Sequence, residues 1–360
     1  MTYCPLPFVH SCSTIKGKAR PCSRFSDKKY VGKKLPMDFF NTDLQDIRDL
    51  MLENKKVEGC SKCYLEESIG SISYRQRNIE KFGIIKEPNL TYLEISLDTL
   101  CNMACVMCDA NFSTLWNDYI DVINYDNKFE DLKKQVYSPV IHDYTDEQLK
   151  KVTRLKLLGG EPFLTVRNID FLEKLNLSEL TLDIATNVSI IPNKKWQALL
   201  EKCNKVNVIL SIDGIGQVAE FSRFGTVWKD IEKNIEWYCR SFRRKNRKVT
   251  VNSSIHAFNV FYYNELVNFL DNCDIDECDP YNLVQWPRYL DVKILPIRTK
   301  YKLIDKLIDS KVKNYLEKTV NYKDEHNLHL FLEYTKRLQN RQHFKFVDLI
   351  IEECEKDILF

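Results

Sequence analysis

Hydrophobic and polar positions follow two rhythms from about residue 89 onward. Short apolar or alternating runs at 92–97, 154–158, 179–185, 206–212, 248–255 and 281–285 predict strands. The segments between them carry apolar residues at helical intervals. Asn168-Ile-Asp-Phe-Leu-Glu-Lys-Leu opens on a capping residue, as do 193–203 and 226–238, and 261–270 has the same spacing. Six strands alternating with helices predict a parallel α/β fold, a partial (β/α)6 barrel open on one side rather than a closed eight-stranded one. Residues 1–88 break this rhythm with clustered Pro and Cys and predict a separate, metal-organised unit. Residues 89–296 carry the barrel pattern. Residues 297–360 are lysine-rich and helical by spacing, as in Leu328-His-Leu-Phe-Leu-Glu-Tyr-Thr-Lys-Arg-Leu338, and predict a C-terminal helical extension.

The chain has 360 residues, 44% of them apolar and 29% charged, which fits an ordinary soluble protein of one or two domains. A net charge of +2 supplies no global basic field for nucleic acid and no acidic field for a basic partner. The apolar runs fall far short of the roughly 20 residues that a membrane span requires. The start, Met1-Thr-Tyr-Cys-Pro-Leu-Pro-Phe8, lacks the charged and apolar regions of a secretory signal, so a cytoplasmic location is expected. Thirteen cysteines is high usage for that compartment, where disulfides are disfavoured; closely spaced cysteines therefore read first as metal ligands.

Three of them form Cys101-Asn-Met-Ala-Cys105-Val-Met-Cys108, a CxxxCxxC run directly after the first barrel strand. Reactive loops of such folds lie at the carboxyl ends of strands. Three thiolates hold three irons of a [4Fe–4S] cluster and leave the fourth open, whereas a closed structural site wants four ligands. Zinc or unrelated thiols remain the alternatives for the bare triad. After the next strand comes Gly159-Gly160-Glu161-Pro162. Two glycines let backbone approach a ligand closely, and the carboxylate suits an ammonium group; a plain strand-to-helix turn is the alternative.

Together, the triad and this turn resemble radical S-adenosylmethionine enzymes over roughly residues 90–290. The resemblance implies that Cys101, Cys105 and Cys108 ligate the catalytic [4Fe–4S] cluster and that S-adenosylmethionine completes the open iron. It implies that Gly159, Gly160 and Glu161 hold the methionyl amine. Thr186-Asn187 after the third strand and Ser211-Ile-Asp213 after the fourth resemble positions that contact ribose and the methionyl carboxylate. Arg223 is a candidate carboxylate partner; an ordinary turn Asp and a surface Arg are the alternatives there. The implied reaction is reductive cleavage to a 5′-deoxyadenosyl radical that abstracts hydrogen from substrate. An electron donor such as flavodoxin or ferredoxin is implied with it. A non-catalytic iron–sulfur carrier or redox sensor is the rival class, although neither needs an open iron or the glycine–glutamate turn.

Cys4, then Gly17-Lys-Ala-Arg-Pro-Cys22, then Cys60-Ser-Lys-Cys63 resemble the cysteine pattern of a twitch domain, a shortened SPASM domain with one auxiliary cluster. Such domains commonly follow the barrel, and here the cysteines precede it. A zinc ribbon is the alternative, and Cys12 is a further candidate ligand. Twitch and SPASM relatives often modify peptides or proteins, which makes a peptide or protein the leading substrate class, ahead of a small metabolite or nucleotide. The basic run 240–248 reads as a solvated connection. His326, His329 and His343 lack metal spacing, and the aromatic and basic segment 286–296 is a candidate substrate-opening wall, with core packing the alternative.

Overall fold

Residues 2–13, 15–30, 36–68, 70–123, 136–138 and 143–358 are described by the structure, a computed structural model. Among the described residues ten strands form: β1 (His10–Ser13), β2 (Ala19–Arg20), β3 (Tyr92–Ser96), β4 (Ala104–Cys105), β5 (Arg154–Leu158), β6 (Thr181–Thr186), β7 (Lys205–Ser211), β8 (Arg223–Phe224), β9 (Arg247–Ile255) and β10 (Glu277–Leu283). The chain folds as two compact units. One comprises Met1–Leu100, Gln135–Ala185 and Pro192–Val208; the other comprises Cys101–Lys134, Thr186–Ile191 and Ile209–Phe360.

In the first unit the strands run in the order β2-β1-β3-β5-β6-β7. The β1/β3, β3/β5 and β5/β6 pairs are parallel. Leu93, Ile95, Leu155, Leu157, Leu182 and Ile184 fill one face and are fully buried. Register places Cys12, Glu94, Lys156 and Asp183 in a row across the other face. That row is charged, unlike the two apolar faces usual in parallel sheets. Ion pairs hold it, Lys156 Nζ lying 3.6 Å from Glu94 Oε1 and Arg154 pairing with Asp183. Strand β1 was not foreseen, because His10-Ser-Cys-Ser has no apolar alternation. It adds the amino-terminal segment to this sheet, and Phe8, Phe40, Leu44, Ile47 and Met51 build a core beneath it.

The helix foreseen at Asn168 starts earlier, as Val166–Leu172, with Thr165 as its cap. The Thr165 hydroxyl accepts from the Arg167 amide and donates to Asp98 Oδ2 at 2.8 Å, while Asn168 is buried and donates to the Pro162 carbonyl. The helix Lys194–Lys202 lies within the expected 193–203 and is capped by Asn193, whose Oδ1 accepts from the Trp196 amide at 3.0 Å.

In the second unit β7 continues at 209–211 and is followed in order by β9 and β10, which are parallel. Strand β10 begins four residues earlier than its sequence pattern, because Glu277 pairs with Thr250 and the register shifts between Asp279 and Asn282. The helix expected from Thr226 runs Trp228–Trp237. Glu220 caps it from a neighbouring helix by accepting from the Trp228 amide, and the Thr226 hydroxyl instead lies 3.4 Å from Met103 Sδ. The carboxy-terminal part forms four helices, Ile297–Lys306, Lys311–Thr319, Glu325–Gln339 and Lys345–Ile358. His326 and His329 are exposed on the third of them, and His343 is exposed in the connection before the last. Within the basic run, Arg240 pairs with Glu236, and Arg243 pairs with Asp274 and Asp276. Among the described residues no helix is long and apolar enough to cross a membrane.

Candidate functional site

The triad loop opens the second unit and is held at both ends. The Cys101 amide donates to Thr114 Oγ1, and that hydroxyl donates back to the Cys101 carbonyl, each at 3.1 Å. The Cys108 amide donates to the Cys105 carbonyl at 3.0 Å and closes the turn. Between them, Cys105 lies in β4, whose antiparallel partner β8 sets Cys105 opposite Arg223. The Trp116 indole N–H donates to the Cys105 carbonyl at 3.2 Å, and Ser113 Oγ donates to the Met103 carbonyl at 2.5 Å. Met103, Ala104 and Val106 are buried and Met107 is half-buried, which gives the loop an apolar backing.

Burial pushes the Cys105 thiol up to about 12, against the Arg223 charge and with the repulsion of Cys101. Cys108 is raised well above the usual thiol range by burial, then by Cys105, Asp109 and Cys101. The three sulfurs thus interact electrostatically, with Cys105 buried and Cys101 and Cys108 half-buried, and thiolates held this close need a positive partner. Among the described residues no three of His, Cys, Asp and Glu are close enough to hold a single metal ion. Corners of a cubane lie farther apart than ligands of one ion, and the donor chemistry of three thiols on one loop fits such a cluster.

Asn187, after β6, donates to Asn102 Oδ1 at 2.9 Å and stands 3.9 Å from Cys101 Sγ. Ser189 completes this knot, accepting from Asn102 Nδ2 at 2.9 Å and donating to Asn187 Oδ1 at 2.6 Å. Thr186 uses its hydroxyl to accept from the Val188 amide. Ser211 closes β7, and Asp213 two residues on is buried. Arg223 Nε lies 2.7 Å from Asp213 Oδ2, and Arg223 Nη1 lies 3.8 Å from Cys105 Sγ. Burial raises the Asp213 carboxyl and Arg223 opposes that shift, while Asp213 Oδ1 accepts from the Ser254 amide at 2.7 Å. In this state Arg223 is engaged by Asp213, not displayed on a surface.

The glycine–glutamate turn belongs to the first unit and is locked to the residues just before the triad. The Gly160 amide donates to the Asp98 carbonyl at 3.0 Å, and the Glu161 amide donates to the Leu100 carbonyl at 2.8 Å. Gly159 has φ +124°, and a Cβ on Gly160 would stand 2.1 Å from the Leu100 oxygen, so both positions require glycine. Glu161 is buried, with Oε1 accepting from the Phe163 amide at 3.2 Å. Asp98, which sequence reading passed over, ties this together: its Oδ1 accepts from Leu100 and its Oδ2 from Thr165.

The amino-terminal quartet also gathers in the first unit. Burial raises Cys4, Cys22 and Cys60, Cys60 to about 12, and mutual repulsion adds to it: Cys4 senses Cys22, Cys60 and Cys63, and Cys22 senses Cys60 and Cys63. Burial raises Cys63 too. Backbone amides of Leu6, Arg24 and Arg75 point at Cys4, Cys22 and Cys63, opposing those shifts. Cys12 is buried, interacts with Arg20, and senses Cys22 but neither Cys60 nor Cys63 among its main partners.

No protein-family model matches the chain. It is 21% identical to a GTP 3′,8-cyclase of Desulforamulus reducens over 153 residues, 41% of this chain and 43% of that protein. It is 26% identical to a GTP 3′,8-cyclase of Nautilia profundicola over 138 residues, 38% of each. Over these stretches the chain is similar to GTP 3′,8-cyclases. It spans about two fifths of the length of these curated relatives. A solved structure described as native anSMEcpe with bound AdoMet aligns over 63% of this chain and 62% of that one, with 17% identity and a TM-score of 0.41.

Proposed function

We propose that this chain is a radical S-adenosylmethionine enzyme acting in the cytoplasm, with Cys101, Cys105 and Cys108 as ligands of a [4Fe–4S] cluster. The observation that carries the reading is the gathering of three mutually sensing thiols on one apolar-backed loop after β3, where folds of this kind present reactive groups. When bound, the cluster and S-adenosylmethionine supply the electron and the 5′-deoxyadenosyl radical that abstracts hydrogen from substrate. The residues position and shield. Gly159 and Gly160, packed against the Asp98 and Leu100 carbonyls, would set the turn that meets the methionyl group; Glu161 would receive its amine, and Thr186, Asn187, Ser211 and Asp213 would face ribose and carboxylate. Arg223 takes the carboxylate or, as found here, holds Asp213 beside Cys105. Met103, Ala104 and Val106 exclude water from the loop.

Residues 1–88, 89–296 and 297–360 are proposed as the twitch-like unit, the partial barrel and the helical extension. Cys4, Cys22, Cys60 and Cys63 would hold one closed auxiliary cluster; their mutual repulsion and the amides directed at three of them support it. Cys12 stays outside this set. A peptide or protein remains the leading substrate class on the twitch-like pattern, with electrons from a flavodoxin or ferredoxin. A nucleotide is the second reading, favoured by the two GTP 3′,8-cyclases that the chain resembles. Anaerobic protein reconstituted with iron and sulfide should release 5′-deoxyadenosine from S-adenosylmethionine and dithionite, and C101A, C105A and C108A should not. Cluster-loaded wild type that releases none would overturn the proposal. Stimulation of that release by GTP would favour the nucleotide reading.

A further inference from the structure

A half-buried cation in the carboxy-terminal extension reaches the triad loop, and the sequence pattern did not single it out. Arg341 follows the helix Glu325–Gln339, and its Nη1 donates to the Ala104 carbonyl at 2.9 Å. Its guanidinium lies 4.8 Å from the Trp116 ring centre and 4.4 Å from that of Phe224. Tyr334, on the same helix, donates from its hydroxyl to the Val106 carbonyl at 2.9 Å. The two carbonyls next to Cys105 in sequence are therefore both anchored by the extension.

Arg341 Nε is shut off from solvent with no hydrogen-bond partner, and among the described residues no carboxylate pairs with the side chain. A half-buried guanidinium without a carboxylate is costly, because the aromatic faces return only part of its lost hydration. Arg223, the other guanidinium near Cys105, spends its charge on Asp213. Arg341 has no such partner, yet it interacts electrostatically with Cys105. A three-thiolate [4Fe–4S] site carries one net negative charge when oxidised and two when reduced, and net charge is a main determinant of reduction potential.

Resting on the reading of the triad as cluster ligands, we propose that Arg341 is a positioning residue that fixes the Cys105 loop and supplies the uncompensated positive charge facing it, favouring the reduced state. The readout is the midpoint potential of the triad site, followed by electron paramagnetic resonance in protein lacking Cys4, Cys22, Cys60 and Cys63. In R341Q the reduced-to-oxidised ratio at a fixed potential should fall about tenfold, equal to about 59 mV for one electron. R341K should restore most of it, since the charge returns without the planar fork. A midpoint unchanged in R341Q overturns the tuning role. If R341Q melts like wild type yet retains no iron, the positioning role stands and R341K decides the charge: its midpoint must stay near wild type, and one lowered by about 59 mV or more overturns it. Y334F, which removes an anchor without removing charge, should leave the midpoint in place. Absence of any cluster from the parent protein would instead reject the ligand assignment beneath this inference.

Discussion

Gly160 shows how much a single residue can commit. Its missing side chain lets the Leu100 carbonyl pass at a distance no Cβ would tolerate, and that carbonyl belongs to the residue before Cys101. Since the obstacle is backbone, it cannot swing aside, and G160A should cost about 1–3 kcal/mol by overpacking. Chemical denaturation of apo protein would measure that, and an unchanged midpoint would mean the turn is slack. The cysteines and the Gly-Gly-Glu turn could be singled out beforehand because their order and spacing together resemble a family pattern. Asp98, Asn102, Ser189 and Thr165 were not, because each is a common polar residue whose role comes from partners distant in sequence: Asn102 and Ser189 are 87 residues apart. Arg341 was hidden for the same reason, 237 residues from the carbonyl it binds.

At the scale of elements, the two-residue ribbon β4/β8 sets the geometry around Cys105. Too short for any periodicity signal, it exists because Val106 and Cys105 pair with the chain at 222–223. The ribbon carries Arg223 to Asp213, and this pair is buried. Removing one partner leaves a buried charge, so D213A should lower unfolding free energy by about 3–5 kcal/mol. D213N, which keeps the acceptor for the Ser254 amide, should cost less. Equal, small losses from both would show that the pair is not structurally coupled. The longer strands β3, β5, β6, β7 and β9 were readable within two residues, since their apolar faces alternate cleanly. Strand β1 escaped because its residues are polar yet wholly buried, and the cap of the Val166–Leu172 helix was misplaced by three residues because Thr165, not Asn168, satisfies its first amides.

Across the whole molecule, the account rests on two groups of cysteines with different tasks, three on the loop of one unit and four gathered in the other. A closed set of four leaves no iron free for a ligand, whereas a set of three does. The two are separable by substitution: replacing Cys4, Cys22, Cys60 and Cys63 with Ala should remove about four irons per chain and leave the triad site loaded. The most direct test then uses that quadruple variant, reduced anaerobically with dithionite, and records its electron paramagnetic resonance spectrum before and after S-adenosylmethionine is added. The account predicts a cluster signal whose g-values shift on addition, as expected when the methionyl group takes the open iron. A signal that persists unchanged at saturating S-adenosylmethionine would contradict it.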